Sequence, residues 1–279
     1  MILQPYKPTL SIKGVNEYIF RNLKRESTEM TVPLKIKSRQ AIKTFIRKFG
    51  YDIVAFPKFE GPYERFQSQG IYAPWIEDAD FMQIFPEIQT HSMVDRYRAY
   101  ELWDLVAQSS KLTGALIEIG VWRGGTGALI AKKASLCGIS DPVYLCDTFE
   151  GVVKASEKDD IYVGGEHSDA SEEIVKKLIK KLALSNTHIM KGIFPDETAE
   201  KIPDQKFRFC HVDVDVYISA RDIVDWVWPR LVIGGILVFD DYGFPTTSGI
   251  RHYVNERKGE KDRVSLYNLN GHSVWIKIA

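Results

Sequence analysis

With 279 residues and 44% hydrophobic content, the chain is long enough for one large α/β domain with an extension and too apolar for a disordered one. Its 37 Lys+Arg balance 37 Asp+Glu, so overall charge selects neither nucleic acid nor a membrane surface as partner. Cys137, Cys146 and Cys210 follow no disulfide or metal spacing, Met1-Ile-Leu-Gln-Pro5 has no hydrophobic signal core, and no apolar run approaches a bilayer span, which together point to a cytoplasmic protein.

The first fifty residues depart from the average, with 11 Lys+Arg against 3 Glu and a local charge of +8. They read as a solvated helical face or as a patch for phosphate or an anionic surface. Ile42, Phe45, Ile46 and Phe49 recur at helical spacing before Gly50. Residues 51–90 are rich in aromatics and Pro without alternation, which predicts an ordered but irregular cover or lid. The expected division is therefore an N-terminal helical and irregular extension over 1–90 and a catalytic domain over 91–279. A helix is predicted from Met93 to Ser109.

From Gly114 the chain alternates strand and helix. Strands are predicted at 115–119, 143–147, 187–191, 207–213 and 233–239, and helices at 125–137, 170–184, 196–201, 217–228 and 247–257. The strands are near-continuous apolar runs, as in a parallel sheet covered on both faces. Segments 263–268 and 273–278, joined through Asn268 to His272, predict a closing antiparallel hairpin.

The stretch Leu116-Ile-Glu-Ile-Gly-Val-Trp-Arg-Gly-Gly125 reads as a buried strand ending at a glycine-rich turn that opens a helix. The frame Gly125-Thr-Gly127-Ala-Leu-Ile130 lacks the third glycine of a dinucleotide fingerprint and lies inside the helix, which disfavours a nicotinamide oxidoreductase. The spacing Glu118-x-Gly120-x-x-x-Gly124 suits a cofactor without a pyrophosphate, with Glu118 attracting an amine and the helix-opening amides holding a carboxylate. Arg123 either binds that carboxylate or pairs with a surface acid. Asp147, ending the second strand, is placed to accept ribose hydroxyls, and Phe149 to pack on an adenine.

Four segments, Ile117-Glu-Ile-Gly-Val-Trp-Arg-Gly-Gly125, Asp147-Thr-Phe-Glu-Gly151, His211-Val-Asp-Val-Asp-Val-Tyr217 and Asp240-Asp-Tyr-Gly243, resemble in kind and order the macrocin O-methyltransferase (TylF-type) family. The resemblance runs from about residue 90 to the C-terminus. It implies an α/β class I methyltransferase fold, Rossmann-like, with a seven-stranded, mostly parallel sheet. It also implies S-adenosylmethionine, a divalent metal that is usually Mg2+, and a sugar hydroxyl as acceptor. Gly120, Val121, Trp122, Arg123, Gly124, Asp147, Thr148 and Phe149, with Glu118, are then the cofactor residues.

Proton removal from a sugar hydroxyl needs a base or a metal. Asp213, Asp240 and Asp241 lie at the ends of two predicted strands; if these are neighbours, three carboxylates converge and a hard cation relieves their repulsion. They are the expected metal ligands, with Asp215 as a fourth ligand or the general base and Asp213 sharing in catalysis. His211 reads as a packed core histidine. His167, in a polar loop, and Tyr217 and Tyr242 are candidate acceptor contacts. The charged run from Val152 to Asp160 and the basic start match nothing in the resemblance, so the acceptor is left open, a nucleotide- or lipid-linked sugar or glycan included. A homo-oligomer is the expected assembly. A catalytically silent interaction module is the alternative, and intact Asp213, Asp240 and Asp241 argue against it.

Overall fold

The computed structural model describes residues 44–45, 61–64 and 70–279. The chain divides into two compact units, Met1–Gln67 and Ser68–Ala279, and the expectations for the basic start fall almost wholly outside the described residues. The second unit carries the sheet and the helices that cover it.

The irregular cover expected up to residue 90 is corrected at its C-terminal end. A 3-10 turn, Pro74–Ile76, leads to helix α1, Ala79–Ile88. The Asp78 carboxylate accepts from the Phe81 amide at 2.9 Å and starts the helix. Phe81, Ile84, Phe85 and Ile88 then fall on one buried face at helical spacing. Pro86 lies on the exposed side, where water can satisfy the carbonyl whose partner it removes. Aromatic clustering hid that period in the sequence. Helix α2, Arg96–Ser109, comes next, capped by Asp95.

The sheet has seven strands: β1 (Ala115–Ile119), β2 (Val143–Asp147), β3 (Thr187–Lys191), β4 (Phe207–Val212), β5 (Leu231–Phe239), β6 (Arg263–Tyr267) and β7 (Ser273–Lys277). Their order is β3-β2-β1-β4-β5-β7-β6. The first five are parallel, and β7 pairs antiparallel with both β5 and β6. Four further helices complete the described set: α3 (Gly125–Leu136), α4 (Glu172–Lys181), α5 (Tyr217–Val227) and α6 (Ser248–Arg257). The helix expected over 196–201 is reduced to a 3-10 turn, Ala199–Lys201.

Successive strand residues feed opposite faces. Leu116, Leu145, Phe209 and Val238 pack with α1 to α4, whereas Ile117, Cys146, Cys210 and Leu237 pack with α5, α6 and Trp275. Two layers of helix thus cover both faces, and the carboxyl ends of β1 to β5 share one edge. Among the described residues, no helix is long and apolar enough to cross a membrane.

Candidate active site

A cavity of about 260 Å3 opens at that edge. It is walled by residues following β1 (Gly120 to Trp122), β2 (Asp147, Thr148), β3 (Gly192 to Phe194), β4 (Asp213 to Asp215) and β5 (Asp240, Asp241). This is where the topology of an open α/β sheet places a ligand, on both sides of the switch between β1 and β4.

The β1 turn is built by close approach. Gly120 has φ +91°, and a Cβ there would lie 1.6 Å from the Asp213 carbonyl oxygen. The Trp122 amide donates to Asp147 Oδ2 at 2.7 Å, and the Phe149 amide to Asp147 Oδ1 at 2.6 Å. Each oxygen keeps a lone pair for a ligand hydroxyl. Burial raises the Asp147 carboxyl above its ordinary range against the pull of these amides. Gly120, Val121, Trp122, Asp147 and Thr148, all named from the sequence as cofactor residues, line the cavity.

Four of the expected cofactor residues do not line it. Arg123 binds Asp169 at 2.6 Å and stacks over Trp122, which is the surface-pair reading. Gly124 is the left-handed cap of α3, at φ 90°. Phe149 packs against the α1–α4 core. Glu118 is fully buried, with Oε1 2.8 Å from His211 Nδ1. The two residues are paired in register on β1 and β4, and a buried charge takes the nearest partner. The helix-opening amides are also partly spent, since Gly124 donates to Val121 and Gly125 to His91, each at 2.8 Å.

Val212 and Phe239 are in register on β4 and β5, so the residues just beyond them meet at the edge. Carboxylate oxygens of Asp213, Asp240 and Asp241 all lie within 4.8 Å of one another. Burial raises the Asp213 carboxyl well above its usual range, and the Asp240 and Asp241 charges add to it; burial and the Asp215 and Asp240 charges do the same to Asp241. Asp240 goes the other way. Burial alone would raise it, but His211, His272 and the Arg98 guanidinium hold it well below the ordinary carboxylate range. Asp215 stands outside that group of three, at φ 64°, and its amide donates to Asp241 Oδ2 at 3.0 Å.

His211 is fully buried, as a core histidine should be, with carboxylates of Glu118 and Asp240 on its two ring nitrogens at 2.8 and 3.7 Å. Burial alone would lower its pKa; Asp240 and Glu118 outweigh that and push it up from 6.5 to about 10. Because the folded value is the higher, its stabilisation is complete below about 6.5 and is lost as pH rises through about 10. The His211 ring should therefore give the imidazolium carbon shifts by NMR from about pH 6 to 9. Titration within that window would contradict the ionic pairing.

The polar loop after β2 bends back over the cavity. Tyr162 and His167 both line it, and the Tyr162 hydroxyl lies 3.2 Å from His167 Nε2. Tyr162 and Asp215 are electrostatic neighbours: burial and then the Asp215 charge push the Tyr162 phenol up, and Tyr162 pulls the Asp215 carboxyl down against its burial. The loop is anchored at its base: the Val152 amide donates to the Glu166 carbonyl and the Gly165 amide to the Val152 carbonyl. Asp159 accepts from the Tyr217 amide at 2.9 Å. Tyr217 and Tyr242 stand apart from the cavity. The Tyr217 hydroxyl donates to Glu256 and that of Tyr242 to Asn255.

Sequence reasoning missed Tyr162, Met93, Arg98, Phe244 and the segment Gly192 to Phe194, all of which line the cavity. The last would emerge from applying the carboxyl-edge rule to every parallel strand. Arg98 carried a signal too: it shares a helical face with Leu102, Val106 and Ser109, all buried.

Comparison with solved structures shows this fold. The O-methyltransferase NovP superposes with a TM-score of 0.58 at 23% identity, covering 68% of this chain and 83% of NovP. The calicheamicin methyltransferase CalS11 gives 0.57 at 14% identity, covering 77% and 99%. Among curated proteins, mycinamicin III 3''-O-methyltransferase of Micromonospora griseorubida is 24% identical over 214 residues, or 71% of this chain and 84% of that protein. Demethyldecarbamoylnovobiocin O-methyltransferase of Streptomyces niveus is 26% identical over 166 residues, or 54% and 62%. The profile of the family described as macrocin-O-methyltransferase (TylF) matches residues 77–277.

Proposed function

Because the chain belongs to the macrocin-O-methyltransferase (TylF) family, and is thus an O-methyltransferase, we propose that it moves the methyl group of S-adenosylmethionine to a hydroxyl of a sugar or glycosylated small molecule with the help of Mg2+. The observation that carries this reading is the convergence of Asp213, Asp240 and Asp241 in the wall of the same cavity that the β1 and β2 turns enter. Three buried carboxylates, two of them raised by burial and by neighbouring carboxylates, form the hard-oxygen donor set that a divalent cation satisfies. Such a cation, held by Asp213, Asp240 and Asp241, would act as a Lewis acid that lowers the pKa of an acceptor hydroxyl.

The chain's own residues do the rest. Asp147 fixes the ribose, and Gly192 to Phe194 close the nucleoside side. Gly120 lets the β1 turn pack against the Asp213 backbone, which shapes the cavity floor beneath the cofactor. Asp215, beside the cation ligands but outside their group, takes the acceptor proton as base. Tyr162 and His167 hold Asp215 and the acceptor from above, while Met93 and Phe244 form an apolar wall for a deoxygenated or aglycone face.

Two experiments test the reading. Calorimetric titration of S-adenosylmethionine into metal-free protein, repeated with Mg2+ and with the Asp240→Asn, Asp241→Asn double variant, should show cofactor binding in all cases and Mg2+ uptake only in the parent. Absence of cofactor binding would remove the reading. Once an acceptor is found from a panel of glycosylated macrolides, aminocoumarins and nucleotide-linked sugars, Tyr162→Phe should lower kcat by up to about 100-fold, the cost of misplacing reacting groups by about an ångström. Its S-adenosylmethionine affinity should be unchanged. An unaltered kcat would take Tyr162 out of the acceptor site.

A further inference from the structure

Asp240 is gripped at both oxygens, by His272, which does not reach the cavity, and by Arg98, which lines it. Its Oδ1 lies 2.8 Å from His272 Nε2, and its Oδ2 accepts from the Arg98 guanidinium. His272 is fully buried, and its other ring nitrogen, Nδ1, is 2.7 Å from Glu101 Oε2. Glu101 accepts in turn from Asn270 Nδ2 at 2.5 Å and from Asn268 Nδ2. The His272 amide donates to Asn270 Oδ1, so the β6–β7 turn folds around the Glu101 carboxylate. Arg98 and Glu101 are three residues apart on α2 and so share a side of the helix. Arg98 is itself steadied by the Asp95 cap at 2.9 Å and by the Phe244 ring, 4.6 Å from its guanidinium carbon.

We infer that Glu101 and His272 are positioning residues for the cation ligand Asp240: together with Arg98 they clamp its carboxylate plane from α2 and the β6–β7 turn. The inference rests on the cation reading above. Neither Glu101 nor His272 lines the cavity, so both act only through Asp240. A carboxylate held at both oxygens cannot rotate about its Cβ–Cγ bond, yet each oxygen keeps a lone pair to offer. Its lone pairs are then aimed before any cation arrives, and the ordering entropy of binding falls. Partners that orient a ligating side chain are worth about 10- to 100-fold in metal affinity. A plain structural stitch between helix and turn would hold the fold together without affecting affinity.

Manganese(II) is a suitable probe, because its free and bound forms are distinguished by electron paramagnetic resonance. Binding would be measured for the parent, Asp241→Asn, Glu101→Gln and His272→Phe, with thermal midpoint and S-adenosylhomocysteine affinity recorded for each. The expected result is a Kd for Mn2+ raised about 10- to 100-fold in Glu101→Gln and His272→Phe, with S-adenosylhomocysteine affinity held within about twofold. Glu101→Gln is nearly isosteric, so it keeps the test valid if His272→Phe does not fold. Mn2+ affinity within about twofold of the parent in a folded Glu101→Gln overturns the clamp while leaving the cation site standing. A parent that binds no Mn2+, or binds it equally well as Asp241→Asn, overturns the cation reading and the clamp with it.

Discussion

Gly120→Ala should lower the thermal midpoint by about 10 °C or more and abolish S-adenosylmethionine binding. An added Cβ would sit 1.6 Å from the Asp213 carbonyl oxygen and 2.6 Å from its carbon. Neither backbone can retreat cheaply, because Gly120 donates to Cys146 at 3.0 Å and Asp213 to Ile119 at 2.9 Å. The positive φ adds about 1–2 kcal/mol of strain for any residue with a Cβ. A clash of this kind belongs to the class of substitutions costing more than about 4 kcal/mol, and each kcal/mol shifts the midpoint about 2–4 °C in a domain of this size. Gly138→Ala is the control. It has φ +70° but nothing within 4 Å of the new Cβ, so only the conformational cost remains. Differential scanning calorimetry of the two variants decides the matter: equal, small shifts would show that the β1 turn has slack.

Asp213→Asn should separate stability from activity. The substitution keeps the shape of the side chain but removes a charge from the cation set, so Mg2+ binding should be lost and methyl transfer should fall about 1,000-fold, equivalent to about 4 kcal/mol of transition-state stabilisation. Metal-free stability should move the other way. A carboxyl whose folded pKa lies above its unfolded value of 3.8 costs stability once pH exceeds the unfolded value, and the cost grows until the folded pKa is reached. The variant carries no such cost. Its midpoint without metal should equal or exceed that of the parent at about pH 8, with the gain vanishing near pH 4. Added Mg2+ should reverse the order at neutral pH by stabilising only the parent. A variant less stable than the parent in the absence of metal would show that Asp213 is a structural residue.

The sheet was legible because its signals are local. Apolar runs of five or six residues separated by short polar turns left little choice of strand, and the turn at Asn268 to His272 marked the closing hairpin. The carboxylates were legible for the same reason: each directly follows an apolar run, so adjacency of β4 and β5 sufficed to bring Asp213, Asp240 and Asp241 together. Features that stayed hidden depended on partners far away in the chain. Glu118 occupies the position of a cofactor acid, but the strand order β1-β4 puts His211 beside it, and the side chain turns to that partner. Arg98 could be seen as misplaced on an apolar face, yet its reason, Asp240, lies 142 residues downstream. Tyr162 belongs to a loop whose course is set by Asp159, Glu166 and the glycines they approach, and no periodicity announces such a path. Phe149 and Tyr217 stand close to motif residues in sequence but point into packed helices, because a residue beside a site residue has no obligation to face the same way.

The strand order has a consequence for biosynthesis. β7 comes after β6 in the chain but lies inside it, against β5. As the polypeptide leaves the ribosome, the outer edge of β5 therefore stays unpaired until residues 273–277 have emerged, even though β6 is already free to fold. His272 immediately precedes β7, so the clamp on Asp240 closes only once that part of the chain has emerged. A nascent chain interrupted before residue 272 would expose the apolar edge of β5 and leave Asp240 without His272 together, which makes it recognisable to chaperones and proteases.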